Sequence, residues 1–97
     1  MTEVITRRMI EVRHDGQYFW LSCPSLGNVF STARTYPDAL QGFYKVVVDR
    51  ARSLVMNIHY GWHPDASEIE YIRFVFENKS RLHKMFTPVY TMTFSQN

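Results

Sequence analysis

Residues 15–40, DGQYFWLSCPSLGNVFSTARTYPDAL, decide the fold. Asp15-Gly16 is a strong hairpin signal, because both residue types tolerate the backbone that a tight turn demands. Gln17 to Cys23 then read as a strand. Phe19, Leu21 and Cys23 fall on one side of it; Tyr18, Trp20 and Ser22 fall on the other. Pro24 ends the strand, since proline has no N–H to donate. Pro24 to Asn28 is a loop, and Val29 to Ala33 form a short third strand. Thr35 is an N-cap with Asp38 in the capping-box place and Pro37 in the first turn, where a missing N–H does no harm.

Working outward, Val4 to His14 read as the strand that enters the hairpin. Ile10 and Val12 alternate with Met9, Glu11 and Arg13. After the cap, Leu40, Phe43, Tyr44, Val47, Ala51, Leu54, Val55 and Ile58 recur at helical spacing over residues 36–58. Gly61 is the stop signal. A second helix starts at Asp65, with Glu68 as its capping-box partner. Its apolar face is expected at Ile69, Ile72, Val75, Phe76 and Leu82, with Tyr71 and Phe74 off that face. Thr87-Pro88 breaks the pattern, and Val89 to Phe94 alternates as a final strand with Tyr90, Met92 and Phe94 on one side.

The expected class is α+β: an antiparallel three-stranded meander followed by a long helix packed on the sheet, then a second helix and a final strand (β-β-β-α-α-β). The 97 residues suffice for one domain over 1–97 and not for two. Hydrophobic residues at 45% and aromatics at 15% supply a core, which argues against disorder. The one cysteine, Cys23, allows no intrachain disulfide, and a lone thiol fits a reducing compartment. No long apolar run follows the first arginines, as a signal peptide would require. Asp49, Arg50 and Arg52 interrupt the longest apolar stretch, so no membrane span is expected. A cytoplasmic location follows. The formal net charge of +2 leaves nucleic acid open as a partner without favouring it.

The same 15–40 stretch resembles the HicB-like antitoxin domain. That family shows a hairpin ending in Asp-Gly, an aromatic strand, a Pro-x-Leu-Pro-Gly turn, a short strand with serine, and a Thr-x-x-Glu-Ala-Leu helix start. Here Pro24 and Leu26 take the turn positions, Ser31 the strand serine, Thr35 the cap, and Asp38, Ala39 and Leu40 the Glu-Ala-Leu places. Gly27 and Asn28 stand where the family has its second proline and glycine, and Ala33 replaces another common glycine. The likeness covers about residues 4–58, leaving 59–97 as a helix-plus-strand extension. It implies a ribonuclease-H-like half-fold and an antitoxin that blocks a small messenger-RNA-cleaving toxin. Residues 59–97 lack the helix-turn-helix or ribbon-helix-helix pattern that many members use to bind DNA.

Catalytic chemistry finds little support. His59 and His63 have a spacing that suits zinc on a helix, but Gly61 and Pro64 oppose a regular helix there. Glu11, Asp15 and Asp38 are the carboxylates a magnesium nuclease would recruit. Turn geometry accounts for Asp15, capping for Asp38, and an exposed strand face for Glu11. Cys23 falls on the core side of its strand, where a thiol is an inert small hydrophobe. No catalytic residue, metal site or cofactor is therefore expected.

The candidate working surface is the sheet face opposite the first helix. Arg13, Tyr18 and Trp20 are expected there as contacts for a protein partner, or for a second subunit in a homodimer. Cover by the carboxy-terminal extension is the competing explanation. Tyr71 and Phe74 are the next partner-binding candidates. Lys79, Arg81 and Lys84 are candidate nucleic-acid contacts, with a solvated helix end as the alternative. The expected function is a non-catalytic protein-binding regulator, an antitoxin-like or phage/mobile-element inhibitor that occludes a toxin or host enzyme. A small nucleic-acid-binding protein is the alternative.

Overall fold

The computed structural model of the chain describes residues 7–27 and 29–90. The Asp15 turn organises the first strands. Its backbone N–H bonds to the Tyr18 carbonyl at 3.1 Å, and its Oδ1 accepts the N–H groups of Gln17 (2.9 Å) and Tyr18 (2.8 Å). Gly16 takes a φ of 101°, a conformation that L side chains rarely adopt. Around this turn β1 (Arg8–His14) pairs antiparallel with β2 (Phe19–Ser22), and β2 pairs antiparallel with β3 (Phe30–Ala33). The meander expected from the sequence is present.

α1 (Tyr36–His59) starts where the cap predicts, with Thr35 Oγ1 accepting the Asp38 N–H at 3.3 Å. The helix ends at Tyr60, and Gly61 follows with a φ of 98°. α2 (Ala66–Asn78) opens on a full capping box: Asp65 accepts from Glu68 N–H at 2.8 Å, and Glu68 accepts from Asp65 N–H at 2.9 Å. A 3-10 segment, Lys79–Lys84, leads into β4 (Phe86–Tyr90).

The strand order is β3-β2-β1-β4. β4 runs parallel to β1, with Pro88 beside Ile10, so the sheet is mixed rather than wholly antiparallel. The final strand also begins earlier than the sequence predicts. Proline is tolerated because β4 is an edge, where a missing N–H costs no ladder bond on the open side. Of the expected strands, residues 4–6 and 91–94 lie outside the described residues.

Ile10 and Val12 from β1, Leu21 and Cys23 at β2, Ala39, Phe43, Val47 and Ala51 from α1, and Val75 from α2 are all essentially inaccessible. Each buried large aliphatic or aromatic side chain contributes about 1.5–3 kcal/mol. Phe86 closes the core edge-on to Phe43 (5.3 Å between centroids) and to Phe74 (6.0 Å). Ser31 Oγ donates to the Ala39 carbonyl at 2.6 Å and ties β3 to the first turn of α1.

The phase of α2 differs from the sequence expectation. Tyr71 is buried, and its hydroxyl donates to the Val47 carbonyl at 2.8 Å. Phe74 is half-buried between Phe86 and the Arg8 guanidinium, which lies 4.5 Å from its ring centroid. Of the face expected in the core, Val75 and Leu82 are buried and Ile72 is partly so, whereas Ile69 and Phe76 are exposed. Helix rotation places Tyr71, Val75 and Asn78 inward, because a carbonyl and a ring wait there for Tyr71 and Phe74.

Candidate binding face

α1 packs against the sheet face that holds Ile10, Val12, Leu21 and Cys23, and α2 packs on α1 and reaches the same side of the sheet at Phe86. Strand alternation sends Met9, Glu11 and Arg13, Trp20 and Ser22, Phe30 and Thr32, and Thr87 and Val89 to the other face. Register makes rows of them. Arg13 lies beside Trp20, which lies beside Thr32; Val89, Glu11, Ser22 and Phe30 form the next row. Met9 is 48% exposed, Trp20 41%, Phe30 55% and Val89 39%. Among the described residues nothing covers this face. The carboxy-terminal strand, the competing explanation for its two aromatics, joins the sheet at its edge.

The hairpin end of the face is ordered by polar contacts. Trp20 donates its indole N–H to Asp15 Oδ2 at 3.0 Å. The Tyr18 and Gln17 N–H groups and this indole together hold the Asp15 carboxyl down at about 2. Arg34 lies 5.3 Å from the Tyr18 ring centroid. Arg13 pairs with Glu11 at 3.1 Å on the same face. The result is a mixed face that exposes Met9, Trp20, Phe30 and Val89, with Glu11, Ser22 and Thr32 among them and two guanidinium groups, Arg13 and Arg34, near its hairpin end.

Of the residues expected from sequence, Arg13, Tyr18 and Trp20 come together here. Tyr71 and Phe74 lie elsewhere: Tyr71 is buried and Phe74 is half-buried, both on the inward side of α2. Lys79, Arg81 and Lys84 lie in the segment that enters β4 beside Arg8, the end of β1 opposite Arg13. Five residues of strand, roughly 17 Å, separate those ends. Arg81 donates to Asn78 Oδ1 at 3.1 Å. Phe30 and Arg34 escaped the sequence reading, although alternation along the third strand puts Phe30 on the Trp20 side. Asp15, a turn residue by sequence, also holds the Trp20 indole.

Two hollows lie elsewhere. One, of about 230 Å³, is lined by Ser25, Arg50, Glu68, Glu70 and Tyr71, and Arg50 is turned over the Tyr71 ring. The other is an apolar groove of about 440 Å³ between the end of α1 and the flank of α2, lined by Ile58, Ile69, Ile72 and Phe76 with Arg73 and Glu77. Among the described residues no three His, Cys, Asp or Glu side chains group as a metal site, and no helix is long and apolar enough to cross a membrane.

No protein-family model, no curated protein and no solved structure matches the chain. The antitoxin likeness therefore rests on the sequence of residues 15–40 alone. Within that stretch Gly27 has a φ of 81°, which proline cannot adopt, so the turn departs from the family's Pro-Gly form in backbone as well as in sequence.

Proposed function

We propose that this chain is a non-catalytic, protein-binding regulator whose working surface is the outer sheet face around Trp20. The observation that carries this is a large exposed indole, held by Asp15 and flanked by Arg13 and Thr32, on a face that also exposes Met9, Phe30 and Val89. Trp, Tyr and Arg carry most of the energy in protein interfaces, and a side chain ordered in advance loses less entropy on binding. The complementary partner is a folded protein with an apolar patch and carboxylates placed to meet Arg13 and Arg34. An antitoxin that occludes its toxin fits this chemistry, as does a phage or mobile-element inhibitor of a host enzyme. Buried, unpaired Cys23 supports a reducing, cytoplasmic setting.

A single-stranded nucleic-acid platform is the second reading, favoured by Arg34 over Tyr18 and Arg13 beside Trp20. It has less support: the basic residues 79–84, which would follow a phosphate backbone, sit at the far end of the sheet. Affinity capture from lysate, with and without nuclease, separates the two. A protein retained after nuclease, and competed off by free wild-type chain, supports the regulator. Retention that vanishes with nuclease and falls steeply with salt supports the nucleic-acid reading.

A further inference from the structure

The two edges of the sheet are not alike. β4 carries Pro88 in its middle, a residue that blocks further strand pairing. β3, the other edge, is Phe30-Ser31-Thr32-Ala33, with neither proline nor charge. Its hydrogen-bond phase follows from its neighbour. The Cys23 N–H donates to the Val29 carbonyl at 3.4 Å, so Val29 belongs to a bonded pair. Bonded and non-bonded pairs alternate in an antiparallel ladder. Ser31 and Ala33, opposite Leu21 and Phe19, therefore bond inward, and Phe30 and Thr32 point their N–H and C=O groups away from the sheet. No loop, helix or side chain among the described residues bonds to them.

We propose that β3 pairs antiparallel with β3 of a second copy of this chain, about a two-fold axis normal to the sheet at Ser31. In this register Phe30 of each copy stands opposite Thr32 of the other, and each such pair exchanges both N–H···O=C bonds. The two positions share strand parity, so both copies keep their outer faces on the same side. Phe30, more than half exposed in the single chain, then lies against Thr32 of the second copy and joins the two Trp20 fields into one surface. The paired stretch is free of charge, and a net charge of +2 opposes association only weakly. Self-pairing also closes on itself, leaving the proline-bearing β4 edges outermost. This inference is independent of the regulator reading: a chain that stays monomeric overturns it and leaves the outer-face proposal standing.

Sedimentation equilibrium across the micromolar range, together with amide hydrogen exchange, tests it. The wild-type chain is expected to be a dimer, with the Phe30 and Thr32 N–H groups gaining protection as concentration rises. Thr32→Pro deletes an outward donor and no bond to β2, so it should weaken the dimer on the order of thirtyfold or more, with circular dichroism and melting close to wild type. Ser31→Pro, which deletes an inward donor, should unfold the chain. Three results would overturn the pairing: a wild-type monomer at all these concentrations, a dimer in which Phe30 and Thr32 exchange freely, or protection at these amides only when another protein is added. The exchange pattern of the wild type decides the question even if Thr32→Pro does not fold.

Discussion

Trp20 donates its indole N–H to the carboxylate of Asp15, at 3.0 Å, so the turn that launches β2 also fixes the largest side chain on its outer face. The same carboxylate accepts the Tyr18 and Gln17 N–H groups. One residue thus sets the register of the hairpin and the pose of the proposed contact residue.

A pH dependence follows. The backbone bonds to Tyr18 and Gln17, then the indole bond, depress the Asp15 carboxyl from its ordinary value of 3.8 to about 2. A depressed carboxylate adds stability that is complete above its unfolded pKa and is lost as pH falls through the folded one. Trp20 fluorescence, followed in a Trp62→Phe background, should therefore change with a midpoint near 2. Asp15→Asn should remove that transition. A midpoint at the ordinary carboxylate value in the parent would show that the Asp15 carboxylate does not hold the two turn N–H groups and the indole as described.

Tyr71 separates an interior role from a surface one. Its hydroxyl is buried against the Val47 carbonyl, and burial pushes its pKa up to about 12. Tyr71→Phe should cost about 1 kcal/mol in urea unfolding, the usual net value of one hydrogen bond, and Tyr71→Ala about 3–5 kcal/mol. Because the folded pKa lies above 10.0, the related stability is present at neutral pH and is lost as pH rises through about 12. Wild-type stability in Tyr71→Ala would return this side chain to the surface.

The legible and illegible parts of this chain divide along physical lines. The meander, the cap at Thr35 and the capping box at Asp65 depend on local chemistry, and each formed where its residues stand. The phase of α2 is a tertiary matter. Val75 is shared by two stripes at helical spacing, one with Ile69, Ile72 and Phe76 and one with Tyr71 and Asn78, and only the waiting carbonyl of Val47 and ring of Phe86 choose between them. Pro88 looked like a breaker because its edge position is invisible in sequence. For the surface, alternation sufficed to pair Tyr18 and Trp20 with Arg13. The same alternation puts Phe30 on that side, although the four-residue β3 carries the pattern only weakly.

The helix phase makes a paired prediction. Phe76→Ser should change stability by roughly 0.5 kcal/mol or less, because the side chain is already exposed, whereas Val75→Ser should cost about 2–3 kcal/mol through cavity formation and an unpartnered hydroxyl. Guanidinium denaturation of the two variants measures the difference. Equal losses would mean that α2 is rotated from the orientation described.

The caps differ in geometry and should differ in energy. Asp65→Ala removes the carboxylate that accepts the Glu68 N–H at 2.8 Å and the Ser67 hydroxyl at 2.7 Å, and Thr35→Ala breaks a single bond of 3.3 Å. Losses near 1 kcal/mol are usual for an N-cap. Asp65 should lie above Thr35 in thermal melts, and Thr35→Ser should be milder than Thr35→Ala. The reverse order would assign the Thr35 effect to packing of its methyl group.

The most direct test of the outer face is a titration. The protein captured by the wild-type chain after nuclease treatment is purified, then titrated by calorimetry against wild type and against the Tyr18→Ala/Trp20→Ala double variant. The double variant should keep its fold by circular dichroism and melting, since Trp20 is 41% exposed and stands on the face away from both helices. Its affinity should fall by about 2 kcal/mol or more, on the order of thirtyfold. A folded double variant that binds with wild-type affinity would contradict the assignment of this face.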